Sequence, residues 1–117
     1  MQYFETIILE EADKFIFTLE VKARKKVFYN IRLAEQANSP ELFKKLKDEI
    51  WEFRTLYAEK QIRVLAFWDK TDKANTLVIA TSGFIKKTQK TPLHEIEKAK
   101  QIRMRYFEEN DIAINKK

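Results

Sequence analysis

The sequence predicts a small α+β domain in the order β-α-α-β-β-β-α, with two N-terminal helices and a C-terminal helix on an antiparallel sheet. Three observations predict it. Apolar residues recur at three-to-four spacing between Glu10 and Gln36. Three runs rich in branched and aromatic residues follow one another between Ile50 and Phe84, and Thr91-Pro92 opens a last amphipathic segment.

Tyr3 to Leu9 is rich in β-formers and reads as the first strand. In the helical region Ala12, Phe15, Ile16 and Leu19 form one apolar stripe, and Val27, Phe28, Ile31 and Ala34 form another in a different register. The chain is therefore expected to break near Glu20 to Lys22 and to give an antiparallel helical pair. Ser39 before Pro40 reads as an N-cap with proline at the first helical position, so ELFKKLKD (41–48) is expected as a short helix or helical turn. The runs IWEFRTLY (50–57), QIRVLAFWD (61–69) and TLVIATSGF (76–84) are joined by AEK and KTDKAN, connections short enough to make antiparallel neighbours. Alternation puts Trp51, Phe53 and Tyr57 on one sheet face, and Glu52 and Arg54 on the other, which Arg63 joins. The helices are expected against one face, the other staying partly open and wetter. Trp51, Phe53, Trp68 and Phe84 are assigned to the core or to a partner contact. Thr91 caps the final helix with Pro92 at its first position, and Ile96, Ala99, Ile102 or Arg103, Tyr106 and Phe107 give that helix a narrow apolar stripe. Residues 1–110 form one domain, and 111–117 are expected to be a frayed tail.

A chain of 117 residues can bury one core but not two, and 44% hydrophobic with 35% charged residues is a globular balance. The absence of cysteine excludes disulfide frameworks, thiolate metal sites and thiol nucleophiles. With one histidine, His94, the usual zinc spacings are also excluded, and with one glycine, Gly83, so are the glycine-rich nucleotide loops. No metal and no cofactor are expected, and any catalysis must come from Lys, Arg, Tyr, Asp or Glu. The chain has no apolar run of membrane length, and MQYFETIILEEADK lacks the order of a secretory signal, so a cytoplasmic protein without membrane contact is expected. The net charge of +5 is carried by the stretch from Lys86 to Arg105, where Lys86, Lys87, Lys90, Lys98, Lys100, Arg103 and Arg105 face only Glu95 and Glu97. That asymmetry suits a nucleic acid or an acidic partner, although a lysine-rich helix is as often a solvated face.

The pieces W-E-F-R (51–54), I-R-V-L-A-F (62–67) and G-F-I-K-K-T-Q-K-T-P (83–92), the last followed by E-I-E-K-A (95–99), resemble the RelE/ParE toxin superfamily. Over residues 3 to 108 the chain is most similar to its phage-derived, HigB-like branch. The resemblance implies the toxin of a type II toxin-antitoxin system, a metal-independent endonuclease that cleaves mRNA on the translating ribosome. It also implies neutralisation by a helix-turn-helix antitoxin of the HigA-like kind. Arg63 falls where the family places a strand arginine facing the scissile phosphate, Arg54 at a recurrent basic position, and Lys86 and Lys87 at the basic end of the last strand. The C-terminal Tyr or His used by several members has no clean match, since Tyr106 lies on a helix stripe and His94 in that helix's first turn.

Such chemistry needs a base for the RNA 2′-hydroxyl, cations around the phosphorane and an acid for the leaving 5′-oxygen. The expected catalytic set is Arg63, Lys87, Lys86 and Arg54. Arg63 offers a planar fork to two phosphate oxygens, and a lysine crowded by other cations acquires a depressed pKa. Adjacent strand residues point to opposite sides, so at most one of Lys86 and Lys87 faces the Arg63 pocket unless Gly83 marks a bulge, and Lys87 is preferred. Lys90, Tyr57 and His94 are expected to contact substrate, Tyr57 by stacking on a base. Each has a plainer alternative: Arg63 as the ion-pair partner of Glu52 across the hairpin, Tyr57 packed beside Phe53, Lys90 and His94 solvated. Two other functions fit the same residues, a ParE-like inhibitor of DNA gyrase that performs no chemistry, and a catalytically inactive module that binds nucleic acid or antitoxin.

Overall fold

The computed structural model describes residues 2–71 and 76–115, the last five of them as backbone alone. The elements are β1 (Glu5–Ile8), α1 (Glu10–Thr18), α2 (Val21–Ala37), β2 (Phe43–Lys45), β3 (Trp51–Tyr57), β4 (Lys60–Asp69), β5 (Leu77–Lys86) and α3 (Leu93–Asn115). One five-stranded sheet runs β1-β5-β4-β3-β2. The β2–β3, β3–β4 and β4–β5 pairs are antiparallel, as the short connections require, but β1 lies parallel to β5 and makes the sheet mixed. Of the turn expected at 70–75, residues 72–75 lie outside the described residues.

The break between the first two helices falls where the two stripes lose register. Leu19 and Glu20 are extended, and the Arg24 guanidinium donates from Nη2 to the carbonyls of Phe17 and Leu19, both at 3.3 Å, satisfying the end of α1. Each helix docks on the sheet, α1 against β5 and α2 against β3. Their apolar stripes meet Phe53, Ile62, Val64, Ala66, Val78 and Ala80 in the larger core. The one glycine marks the closest approach: a Cβ at Gly83 would overlap the Phe15 ring of α1.

Four differences from the sequence reading matter for the site. The segment expected as a helix after Ser39 makes a single turn, with Leu42 and Phe43 donating to the Ser39 carbonyl, and then becomes strand β2. Helix propensity loses because Phe43 is buried in an aromatic cluster, 4.3 Å from Phe53 and 4.9 Å from Trp51 between ring centroids. Helix α3 lies on the opposite sheet face from α1 and α2, its Ile96 and Ala99 packed with Leu65, Phe67, Ile79 and Phe84. That face is polar only at one end, and its Leu65–Phe67 half needs cover.

The third difference is at the start of α3. There the Pro92 carbonyl accepts from Glu95 and Ile96, while the Thr91 hydroxyl, expected to cap the helix, donates instead to Glu52 Oε1 at 2.6 Å. Finally, β5 carries a bulge. Ala80 pairs with Ala66 but Ser82 with Leu65, which leaves Thr81 as an extra residue whose hydroxyl bonds the Leu65 carbonyl. The α3 helix reaches Asn115, and the last two residues of the tail expected to fray lie outside the described residues.

Candidate active site

The bulge decides which lysine joins the arginines. Before it, Leu77 and Ile79 share a face with Asp69 and Phe67; after it, Ser82, Phe84 and Lys86 pair with Leu65, Arg63 and Gln61. One extra residue flips every later side chain to the other face. Without Thr81 as an extra residue, Lys87 would lie on the Arg63 face, as preferred from the sequence. With it, Lys86 does. The bulge sits two residues ahead of Gly83.

Around Arg63 the ladder assembles the rest. Arg54 is its partner on β3, Glu52 pairs with Leu65 on one side and with Lys44 of β2 on the other, and Gln61 pairs with Lys86. Alternation therefore gathers Lys44, Glu52, Arg54, Gln61, Arg63 and Lys86 on the polar end of the face that α3 leaves uncovered. Arg54, Gln61 and Arg63 also line an open pocket of about 320 Å³ with Glu41, Thr55 and Leu56.

At the centre is a buried carboxylate. Glu52 accepts from Thr91 at 2.6 Å and lies 3.5 Å from Arg63 Nε and 3.8 Å from Arg54 Nε. Arg63 is equally buried, donating from Nη2 to Gln61 Oε1 at 2.9 Å and from Nη1 to the Ile62 carbonyl at 3.2 Å. Its side chain is 5% exposed against 35% for Arg54, so Arg54 is the guanidinium that solvent and ligands reach. The ion pair across the hairpin, the plainer role weighed for Arg63, is present. Among the described residues neither arginine Nε finds a hydrogen-bond acceptor within range, so two guanidinium groups share one carboxylate.

The electrostatics follow from that ratio. Burial lowers the Arg63 pKa, with Arg54 adding to the effect and Glu52 opposing it. Burial also lowers the pKa of Lys86; Glu52 pulls it back, while Arg63, Arg54 and Lys44 push it further down. Around Glu52 the cations outnumber the carboxylate, which favours a further negative group, and Lys86, on the same face, loses its proton more easily than an ordinary lysine.

The other expected contacts fall elsewhere. Tyr57 is on the face of α1 and α2, its hydroxyl donating to Glu20 Oε1 at 2.8 Å, so it has no route to a base in this pocket. Lys87 and Lys90 are exposed in the segment between β5 and α3, and His94 is exposed on the first turn of α3, with Nε2 3.6 Å from Glu95. Tyr106 donates to Asp69 Oδ2 at 2.6 Å and packs on Phe67 and Phe107, under the covered half of the face. Lys44 and Thr91 were missed, each because it reads locally as part of a helix. Their signal lay in the opposite strand, where Glu52 is the one acid among the basic alternation.

The family model described as "Phage derived protein Gp49-like (DUF891)" matches residues 14–104. The chain belongs to that family. Gp49-like proteins form a RelE/ParE-like toxin family associated with toxin-antitoxin systems, so the resemblance read from the strand and turn pieces holds at the level of the superfamily. Membership suggests an antitoxin as partner. No curated protein matches the chain. In this Gp49-like protein the matched span holds every residue that lines the pocket, from Glu41 to Arg63, together with Glu52, Lys86 and Thr91. Among its described residues no three His, Cys, Asp or Glu side chains gather as a metal site, and no helix is long and apolar enough to cross a membrane.

Proposed function

We propose that this toxin is an endoribonuclease that cleaves mRNA on the ribosome, of the HigB-like kind, working in the cytoplasm and silenced by a helix-turn-helix antitoxin. The observation that carries the reading is the sharing of one buried carboxylate by two arginines beside a lysine of lowered pKa. A phosphodiester supplies the missing negative charge, and its transition state supplies more.

In the reaction the RNA 2′-oxygen attacks the adjacent phosphorus, the bond to the 5′-oxygen breaks, and a 2′,3′-cyclic phosphate forms. Lys86, deprotonated more easily than an ordinary lysine, takes the 2′-hydroxyl proton. Arg54 contacts the non-bridging oxygens from the exposed side of the pocket, and Lys44 extends the cationic wall. Arg63 is a positioning residue: it fixes Glu52 and Gln61 and adds a charge that strengthens as phosphate excludes water. The leaving 5′-oxygen takes its proton from solvent at the open side of the pocket.

The test is digestion of mRNA in EDTA, with and without translating ribosomes. Fragments ending in 5′-hydroxyl and 2′,3′-cyclic phosphate support the proposal. Intact RNA together with blocked gyrase supercoiling would replace it with the ParE-like inhibitor.

A further inference from the structure

Outside the pocket, a second cationic surface is concealed in the charge totals. Helix α2 contains Lys22, Arg24, Lys25, Lys26 and Arg32 against Glu35 alone, while the residues before it hold Glu5, Glu10, Glu11, Asp13 and Glu20 against Lys14. The two stretches cancel in sequence but not in space. Arg24 is accounted for by the end of α1. Lys22, Lys25, Lys26 and Arg32 are exposed, and none has an acidic partner within 4 Å among the described residues. At about 100° per residue these four fall with exposed Tyr29 and Leu33 in one stripe roughly 120° wide, and from Lys22 to Arg32 it runs about 15 Å.

The placement runs against helix electrostatics. No acid stands in the first turn of α2, and no base in its last, so the cations crowd the positive end of the dipole. A face kept only for solubility would favour the reverse order, which α1 shows with Glu10, Glu11 and Asp13 in its first turn. The buried side of α2 holds Val27, Ile31 and Ala34 against Phe53, and Asn30 donates to Thr55, so the stripe is on the sheet face opposite the pocket.

We infer that α2 is a docking surface for the phosphate backbone of folded RNA, separate from the pocket where cleavage is proposed. This rests on the reading of the protein as an RNA-directed toxin. A straight stripe of cations with a single aromatic suits a duplex, which is recognised through phosphates and shape. A single strand would call for several stacking rings. The two surfaces together would let the protein hold structured RNA with the helix layer while the sheet presents its pocket to a single strand.

The experiment compares the wild-type chain with the Lys22→Gln, Lys25→Gln, Lys26→Gln variant. Binding to a fluorescent 20-base-pair RNA hairpin is measured by anisotropy from 50 to 200 mM salt, and cleavage is measured on a short unstructured oligonucleotide. We expect hairpin affinity to fall at least tenfold and the log–log salt slope to drop by about 0.7–0.9 per lost phosphate contact. Thermal stability should hold or rise, because the lost charges oppose the dipole. Unchanged hairpin affinity and slope would overturn the inference, as would a variant effect confined to vesicles containing phosphatidylserine. Failure of the wild type to cut the oligonucleotide would count against the proposed cleavage and leave the binding result standing.

Discussion

Arg54 and Arg63 carry the same charge on paired positions, yet they should respond to mutation in opposite ways. Removing Arg63 strands the buried Glu52 carboxylate, which costs about 3–5 kcal/mol for a broken buried pair. Arg54 is exposed enough that Arg54→Ala should cost no more than about 1 kcal/mol while cutting RNA cleavage sharply. Urea unfolding of both variants, read beside their cleavage rates, checks this; a stable, inactive Arg63→Ala would return it to direct phosphate contact. Glu52 offers a second test, through Lys86. Of the charged groups named around Lys86 it is the one that raises the lysine's pKa, so Glu52→Gln should lower it further. Since cleavage rises as Lys86 loses its proton, the rising limb of the pH–rate profile should move to lower pH in that variant and vanish in Lys86→Arg. A profile that does not move removes Lys86 as the base.

At the scale of elements, local chemistry and packing disagree in three places, and these are where the sequence was hardest to read. Alternation along β3 and β4 put Glu52, Arg54 and Arg63 on one face correctly, because an unbroken ladder keeps its parity. It could not place Lys86, since the parity of β5 changes at Thr81, a residue with nothing in its type to announce a bulge. Ser39-Pro40 and Thr91-Pro92 both read as helix starts. The first gives way to burial of Phe43, the second keeps its helix but turns its hydroxyl to Glu52. The β3–β4 connection was legible as tight, though its turn is built from unusual residues. Ala58 and Glu59 take φ of 49° and 66°, the two left-handed positions of a type I′ hairpin normally filled by Asn-Gly. The double change Ala58→Asn, Glu59→Gly should therefore stabilise the fold by about 1 kcal/mol, measured by denaturant midpoint, with cleavage unchanged. A loss of stability would mean that this hairpin tolerates its strain for a contact not seen in the turn itself.

For the whole molecule, a sheet clothed on both sides leaves the polar end of one face bare, and that end holds the basic pocket. The sequence made the basic excess visible between Lys86 and Arg105 but assigned it as one patch. In the fold it divides: Lys86 joins the face of Arg54 and Arg63, Lys98 and Lys100 are tied to Glu11 and to Asp48 with Glu97, and Arg103 lies over Phe67 and Phe107. Three of the seven cations are thus engaged by contacts of α3, and the site draws its charge from strands far apart in sequence. The most direct measurement is the initial rate of RNA cleavage by Lys86→Ala beside Lys87→Ala, at equal folded concentration. A loss of about a hundredfold or more is expected for Lys86→Ala and little change for Lys87→Ala. Equal rates, or a greater loss at Lys87, would contradict it.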